Sequence, residues 1–251
     1  MSLAIFIPAR LGASRLPHKP LALLDGKPLI WHVWRRATLM NIAPVFVATD
    51  SQKVARVIQK EGGQAVLTPA MLPSGSDRVW YALQHIDPDG TYKTIINLQG
   101  DMAIFPQDIL KAAIENLPQN PTFPITTFVK PLDDKDWDNP SAVKVCTRKT
   151  LYGPQATTFR RTLDAPTQNG LHHIGVYIYK RHALKMFVTA PPSADEEREK
   201  LEQLRAFSIG LSIGVVKIPP STWVSIDTPE DLKKAGSVLA ADKNTAQPKQ
   251  A

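Results

Sequence analysis

The chain has 251 residues, which at ~150 residues per domain makes one large or two modest domains, long enough to bury a core and to house an enzyme. Hydrophobic residues make up 43% and charged residues 21%, close to globular averages, which excludes wholesale disorder, collagen-like repeats and coiled coils. Thirty Lys and Arg against 23 Asp and Glu leave a formal charge of +7, which points to an anionic partner: nucleic acid, a membrane surface or a small polyphosphate.

Leu3–Ile7 is a short apolar run with β-branched members, the mark of a buried strand, and Pro8 ends it. Leu29, Ile30, Val33, Trp34, Ala37 and Met40 then recur at helical intervals behind Pro28, which suits a first helical turn. Val45–Ala48 is the next strand, and either Asp50 or Ser51 caps a helix whose apolar face carries Val54, Ala55 and Ile58 before Gly62-Gly63 ends it. Ala65–Leu67 and Thr94–Leu98 continue the alternation. It predicts an α/β fold: a mostly parallel sheet with helices on both faces and ligands beyond the carboxyl ends of its strands.

The second half is less regular and reads as a smaller α+β part. Pro118, Pro121 and Pro124 punctuate a connection, followed by strands at Ile125–Val129, Val143–Cys146 and His173–Tyr179. Helices are expected at Ala183–Val188 and Ala194–Phe207, a strand at Ile213–Ile218, and a last helix opening at Asp227-Thr228-Pro229-Glu230-Asp231. From Asp242 the chain is polar and patternless, as a disordered tail would be.

A single cysteine, Cys146, forms no intrachain disulfide, and the N-terminus has no basic n-region. No run approaches the ~20 apolar residues needed to span a bilayer. A soluble cytoplasmic protein is expected.

Three segments carry chemistry. Arg10, Arg15 and Lys19 place three permanent charges in ten residues on the loop after the first strand, where backbone N–H groups can also face a polyphosphate; by composition alone a solvated basic loop fits equally well. Ser74-Gly75-Ser76-Asp77-Arg78 precedes a helix, with Ser76 a candidate N-cap and its N–H groups suited to an anion, although a plain capping turn is the default for such a segment. Asn97-Leu98-Gln99-Gly100-Asp101 ends a strand with a carboxylate placed to hold a hard cation. Asp227 is its candidate partner, but Asp227 or Thr228 can equally cap the last helix, and spacing does not decide whether the two carboxylates meet.

Pro8-Ala9-Arg10, Arg15-Leu16-Pro17, Lys19-Pro20-Leu21, Ala48-Thr49-Asp50, Ser74–Arg78, Gln99-Gly100-Asp101, Asn139–Val145, His173–Tyr177, Leu201–Arg205 and Asp227–Leu232 follow one another in this order. The set resembles the 3-deoxy-manno-octulosonate (Kdo) cytidylyltransferases, the CMP-Kdo synthetases, over roughly residues 3 to 235. The resemblance implies a Rossmann-like nucleotidyltransferase that transfers CMP from CTP to Kdo, releasing pyrophosphate, for lipopolysaccharide synthesis. It implies that Arg10, Arg15, Lys19, Ser74, Gly75 and Arg78 bind CTP, that Asp101 and Asp227 hold Mg²⁺, and that Arg10, Lys19, Asp101 and Asp227 form the catalytic set. Gln99, Arg161, His173, Tyr177 and Glu202 would line the Kdo side, with Arg160 a rival to Arg161; of the adjacent pair His172-His173, which strand geometry sends to opposite sides, one is expected to be structural or exposed.

One domain is then expected over 1–241, with about 1–120 and 210–241 as nucleotide-binding core, about 121–209 for sugar binding and homodimerisation, and 242–251 as tail. Two features depart from the family pattern. Met102-Ala103 stands where relatives commonly carry Glu-Pro, and the stretch between Arg161 and His172 is short. A related acidic sugar such as an 8-amino Kdo or a sialic-acid-like acceptor is the nearest alternative. A non-catalytic nucleotide or nucleic-acid binder is a further one, opposed by 7% aromatic content without any recognisable RNA- or DNA-binding motif. Neither nucleic acid nor membrane is the expected partner.

Overall fold

The computed structural model describes residues 2–12, 15–117, 122–163 and 170–246. Ala13 and Ser14 of the basic loop, Pro118 and Pro121 of the connection, Pro166 and positions 247–251 of the expected tail lie outside the described residues. Two compact units form: one from Ile5–Ala82, Gln99–Gln107 and the chain from Thr222, the other from Leu83–Leu98, Asp108–Ser221 and the chain up to Ala4.

In the first unit the strands Leu3–Ala9, Val45–Thr49 and Gln64–Leu67 run parallel, with Val45–Thr49 in the middle and Ile5 opposite Val45. Leu3–Ala9 and Val45–Thr49 are buried along nearly their whole length, whereas Gln64–Leu67 at the edge is exposed at both ends; Phe6 stacks on Phe46 at 5.3 Å between ring centres. The helix Leu29–Leu39 buries Leu29, Ile30, Val33, Trp34 and Ala37, the face its spacing predicts. In the helix Gln52–Lys60 the cap is Ser51, whose hydroxyl accepts from the Val54 N–H at 3.4 Å, while Gly62 leaves the helix at φ +81°. Asp50 is thereby free for another role.

Two short segments complete this unit. Met102–Ile104 pairs antiparallel with Val224–Ser225, a ladder of three residues against two that carries no readable alternation. Ala103, Ile104, Val224 and Ile226 pack with Leu24, Leu29, Ala235 and Leu239 in one apolar cluster, so the Met102-Ala103 that departs from the family pattern lies in the core, Met102 3% and Ala103 0% exposed. The last helix spans Pro229–Ala246, past the expected end at 241. Its cap is Thr228, whose hydroxyl accepts from the Asp231 N–H while the Asp231 carboxylate accepts from the Asp227 and Thr228 N–H groups, each of these N–H contacts 3.0 or 3.2 Å.

The second unit holds the strands Thr94–Leu98, Leu171–Lys180, Ile125–Pro131, Ile213–Lys217, Gly153–Arg160 and Lys144–Thr150, in that spatial order. Ile213–Lys217 runs parallel to Ile125–Pro131, whereas Leu171–Lys180 runs antiparallel to Thr94–Leu98, Ile125–Pro131 and Lys144–Thr150, and Gly153–Arg160 antiparallel to Ile213–Lys217 and Lys144–Thr150. The predicted helix Ala194–Phe207 is two, Ala194–Glu199 and Leu204–Ser208, because Lys200 turns left-handed at φ 54°. Arg205 then reaches back to clamp Glu196 with two bonds of 2.6 and 2.8 Å, its guanidinium over Phe187. Helical periodicity continues across such a break, so only the folded chain shows it.

Candidate active site

Lys19 opens a short 3-10 turn, Lys19–Leu21, beyond the end of the first strand. Its Nζ donates to the carboxylates of Asp101 and Asp227, both at 2.9 Å, and Arg15 contacts the second oxygen of Asp227 at 3.1 Å. Burial opposes the Lys19 charge, but the two carboxylates outweigh it and raise its pKa above the ordinary value. The carboxylates meet because the Ile226 N–H bonds to the Asp101 carbonyl at 2.9 Å, an extension of the short ladder that sets the two aspartates side by side. With Thr228 and Asp231 capping the helix, the Asp227 side chain faces this centre instead. Two hard oxygen donors converging on one cation position fit Mg²⁺, which takes one or two carboxylates and completes its shell with water and phosphate oxygens. Among the described residues no three acidic, His or Cys side chains cluster as a self-sufficient metal cage.

Gly100 lets this loop approach the first strand. A Cβ at that position would collide with the Pro8 carbonyl oxygen, a backbone atom that cannot swing aside. Gly100→Ala is expected to lower stability by about 1–3 kcal/mol and to depress turnover with it. Thermal unfolding checks this, and an unchanged Tm would show that the loop accommodates a methyl.

In the Ser74–Arg78 turn the cap is Ser74 rather than Ser76: its hydroxyl accepts from the Asp77 N–H at 3.2 Å, while Ser76 is buried. A Cβ on Gly75 would sit 3.2 Å from Pro8 and 3.4 Å from the Gln99 side-chain oxygen, which places Gln99 and the turn next to the strand exit. Arg78 is 2% exposed; it bonds the Thr68 hydroxyl and the Pro69 carbonyl and faces Asp50 at 3.4 Å. Asp50 in turn accepts from the Leu11 N–H at 3.0 Å. Arg78 thus holds up the loop that carries the exposed Arg10.

The second unit gathers His173, Tyr177 and Phe159. The His173 ring meets Phe159 edge-on at 5.0 Å and Tyr177 at 5.3 Å. Burial, then Tyr179 and Glu202, push the Tyr177 hydroxyl well above its ordinary pKa, so it stays protonated and able to donate. Arg161 donates to the carbonyls of Glu199, Pro140 and Lys200 at 2.9, 3.0 and 3.1 Å, which makes it a clamp for the segment leading into Glu202. Its rival Arg160 is exposed.

Burial lowers the His172 pKa to about 4, with Lys130 adding to the effect, and that of His173 to about 3, with His172 adding. Below the ordinary value of 6.5 the unfolded chain takes up protons that the native rings refuse, so stability falls as pH drops from about 6.5 toward 4 and 3. Denaturant unfolding at pH 7.5 and 4.5 reads this loss. A His172→Gln/His173→Gln double variant is expected to flatten the slope, and an unaltered slope would assign it to other groups.

A basic loop at the carboxyl end of the parallel strand Leu3–Ala9, two carboxylates meeting at its lysine and a glycine that brings backbone close fit a nucleotidyltransferase. Known proteins narrow the class. A family model described as cytidylyltransferase matches residues 4–215. A 3-deoxy-manno-octulosonate cytidylyltransferase of Methylobacterium radiotolerans is 43% identical over 94% of this chain and 96% of its own. One from Azorhizobium caulinodans is 41% identical over 96% of each. The structure of a CMP:2-keto-3-deoxy-manno-octonic acid synthetase complexed with CTP superposes with a TM-score of 0.85 at 32% identity, covering 96% of this chain and 99% of that one. A putative glucose-1-phosphate thymidylyltransferase from Bacillus anthracis shares the fold alone, at TM-score 0.67 and 15% identity over 94% of each chain. The chain belongs to the cytidylyltransferase family and, within it, to the 3-deoxy-manno-octulosonate cytidylyltransferases, the CMP-Kdo synthetases. Its fold is the α/β nucleotidyltransferase fold with a mixed sheet. No helix among the described residues is long and apolar enough to cross a membrane.

Proposed function

We propose that the 3-deoxy-manno-octulosonate cytidylyltransferase activity of this chain, transfer of CMP from CTP to Kdo with release of pyrophosphate, is carried by the Lys19–Asp101–Asp227 centre. The observation that supports it most is the meeting of both carboxylates at one cation position beside a cluster of basic side chains. Arg10, Arg15 and Lys19 bind the triphosphate and stabilise the charge that develops on departing pyrophosphate. Asp101 and Asp227 hold Mg²⁺, which when bound neutralises phosphate charge and polarises the oxygens around the α-phosphorus. Ser74, Gly75 and the turn stabilised by Arg78 border the nucleotide.

On the sugar side Gln99, His173, Tyr177 and Glu202 are the residues we assign to binding Kdo, whose anomeric hydroxyl is the nucleophile. Arg161 serves that side through the carbonyls it clamps. Attack at the α-phosphorus needs no covalent enzyme intermediate, and Cys146, on the strand Lys144–Thr150, takes no part. The enzyme works in the cytoplasm as a homodimer in this reading, which light scattering of the purified protein checks. The decisive assay is pyrophosphate release with Kdo and Mg²⁺ across the four ribonucleoside triphosphates. Turnover is expected with CTP; equal turnover with ATP, GTP or UTP, or none with CTP, would overturn the assignment.

A further inference from the structure

Thr127 is the fully buried hydroxyl at the heart of the second unit, 0% exposed on the strand Ile125–Pro131. The neighbouring strand Leu171–Lys180 pairs with it antiparallel, and the register slips between Ile174 and Tyr177. That irregularity turns two carbonyls onto one hydroxyl: Thr127 Oγ1 lies 2.8 Å from the Val176 oxygen and 3.2 Å from the Ile174 oxygen. The third neighbour is His173 Nε2, at 3.0 Å.

A hydroxyl has one hydrogen and two lone pairs, whereas carbonyl oxygens only accept. The Thr127 hydrogen therefore goes to a carbonyl, with Val176 the nearer, and a lone pair of Oγ1 is left facing the histidine. Were Nε2 bare, the hydroxyl would turn its hydrogen toward it and set its lone pairs against two carbonyl oxygens at 2.8 and 3.2 Å, a repulsive arrangement around an oxygen that is itself buried. Nε2 must carry the hydrogen. Burial keeps the ring uncharged, so the other nitrogen carries none, and Nδ1 has no hydrogen-bond partner among the described residues. Phe159 and Tyr177 confine the ring, and the His173 N–H bonds to the Val143 carbonyl at 2.8 Å, so backbone and side chain are both anchored.

We propose that Thr127 is a positioning residue that fixes His173 as its Nε2–H tautomer, presenting Nδ1 as a hydrogen-bond acceptor to a hydroxyl of the sugar acid. The proposal rests on the assignment of His173 to the Kdo side. It gives that residue a defined polarity: a donor hydroxyl is accepted, and a sugar lacking that hydroxyl is disfavoured.

The test uses full-length enzyme with ¹⁵N-labelled histidine rings, together with steady-state kinetics. In the wild type the His173 resonances are expected to show a protonated Nε2 and a bare Nδ1. Thr127→Val, which keeps the shape and removes the hydroxyl, is expected to add the second tautomer and to raise the KM for Kdo about three- to tenfold, with the KM for CTP unchanged. Thr127→Ser is expected to restore both the tautomer and the KM. A protonated Nδ1 in the wild type, or an unchanged tautomer and KM for Kdo in Thr127→Val, overturns the proposal. A His173→Gln variant separates this from the underlying assignment: if it leaves the KM for Kdo unchanged, His173 does not touch the sugar at all.

Discussion

Asp101→Asn is expected to cut kcat by about 10²–10³-fold, roughly 3–4 kcal/mol of transition-state stabilisation, with the fold intact. Asparagine keeps the volume and one oxygen but removes the charge that, with Asp227, holds a hard cation against the phosphates. Removing that charge leaves Lys19 one charged partner, Asp227 at 2.9 Å, and an amide oxygen at position 101 that can still accept, so the ammonium stays paired and the loop stays in place. Circular dichroism and Tm should thus be near the wild type while pyrophosphate release collapses. Undiminished turnover in this variant would remove Asp101 from the metal set and leave Asp227 alone with it.

Arg78→Ala should fail in a different way. It removes a guanidinium that is 2% exposed and leaves the 11% exposed Asp50 carboxylate with only the Leu11 N–H, an uncompensated buried charge worth about 3–5 kcal/mol. For a chain of this length that is roughly 10 °C in Tm, and the loop bearing Arg10 loosens with it. Arg78→Lys should rescue little, because one ammonium cannot serve the Thr68 hydroxyl, the Pro69 carbonyl and Asp50 together. A variant with wild-type Tm and a raised KM for CTP would instead make Arg78 a direct nucleotide ligand.

The regular elements were legible because their side chains repeat at the period of the element. The strand Thr94–Leu98 and the helix face of Leu29, Ile30, Val33, Trp34 and Ala37 occur where the pattern puts them. Strand Gly153–Arg160 and helix Gln107–Glu115 were not anticipated; the first alternates buried and exposed positions imperfectly, with a register shift between Ala156 and Thr158. The caps show the limit of local reasoning. Asp50 and Ser51, or Asp227 and Thr228, are equally good caps by residue type, and the choice falls to whichever side chain is not claimed elsewhere: Asp50 by Arg78 and Leu11, Asp227 by Lys19 and Arg15.

The order of residues is enough to show which side chains stand at the ends of which strands: basic side chains after Ala9, a glycine and a carboxylate after Leu98, a second carboxylate ahead of the last helix. It also placed three of the excess positive charges in one local cluster, Arg10, Arg15 and Lys19. That Lys19, 82 and 208 residues away from the two aspartates, bridges both emerges in the folded chain alone. The physical reason is the short ladder of Met102–Ile104 with Val224–Ser225. Too few residues alternate there to leave a pattern, yet the apolar cluster behind it and the Ile226 to Asp101 bond set the two carboxylates next to one another.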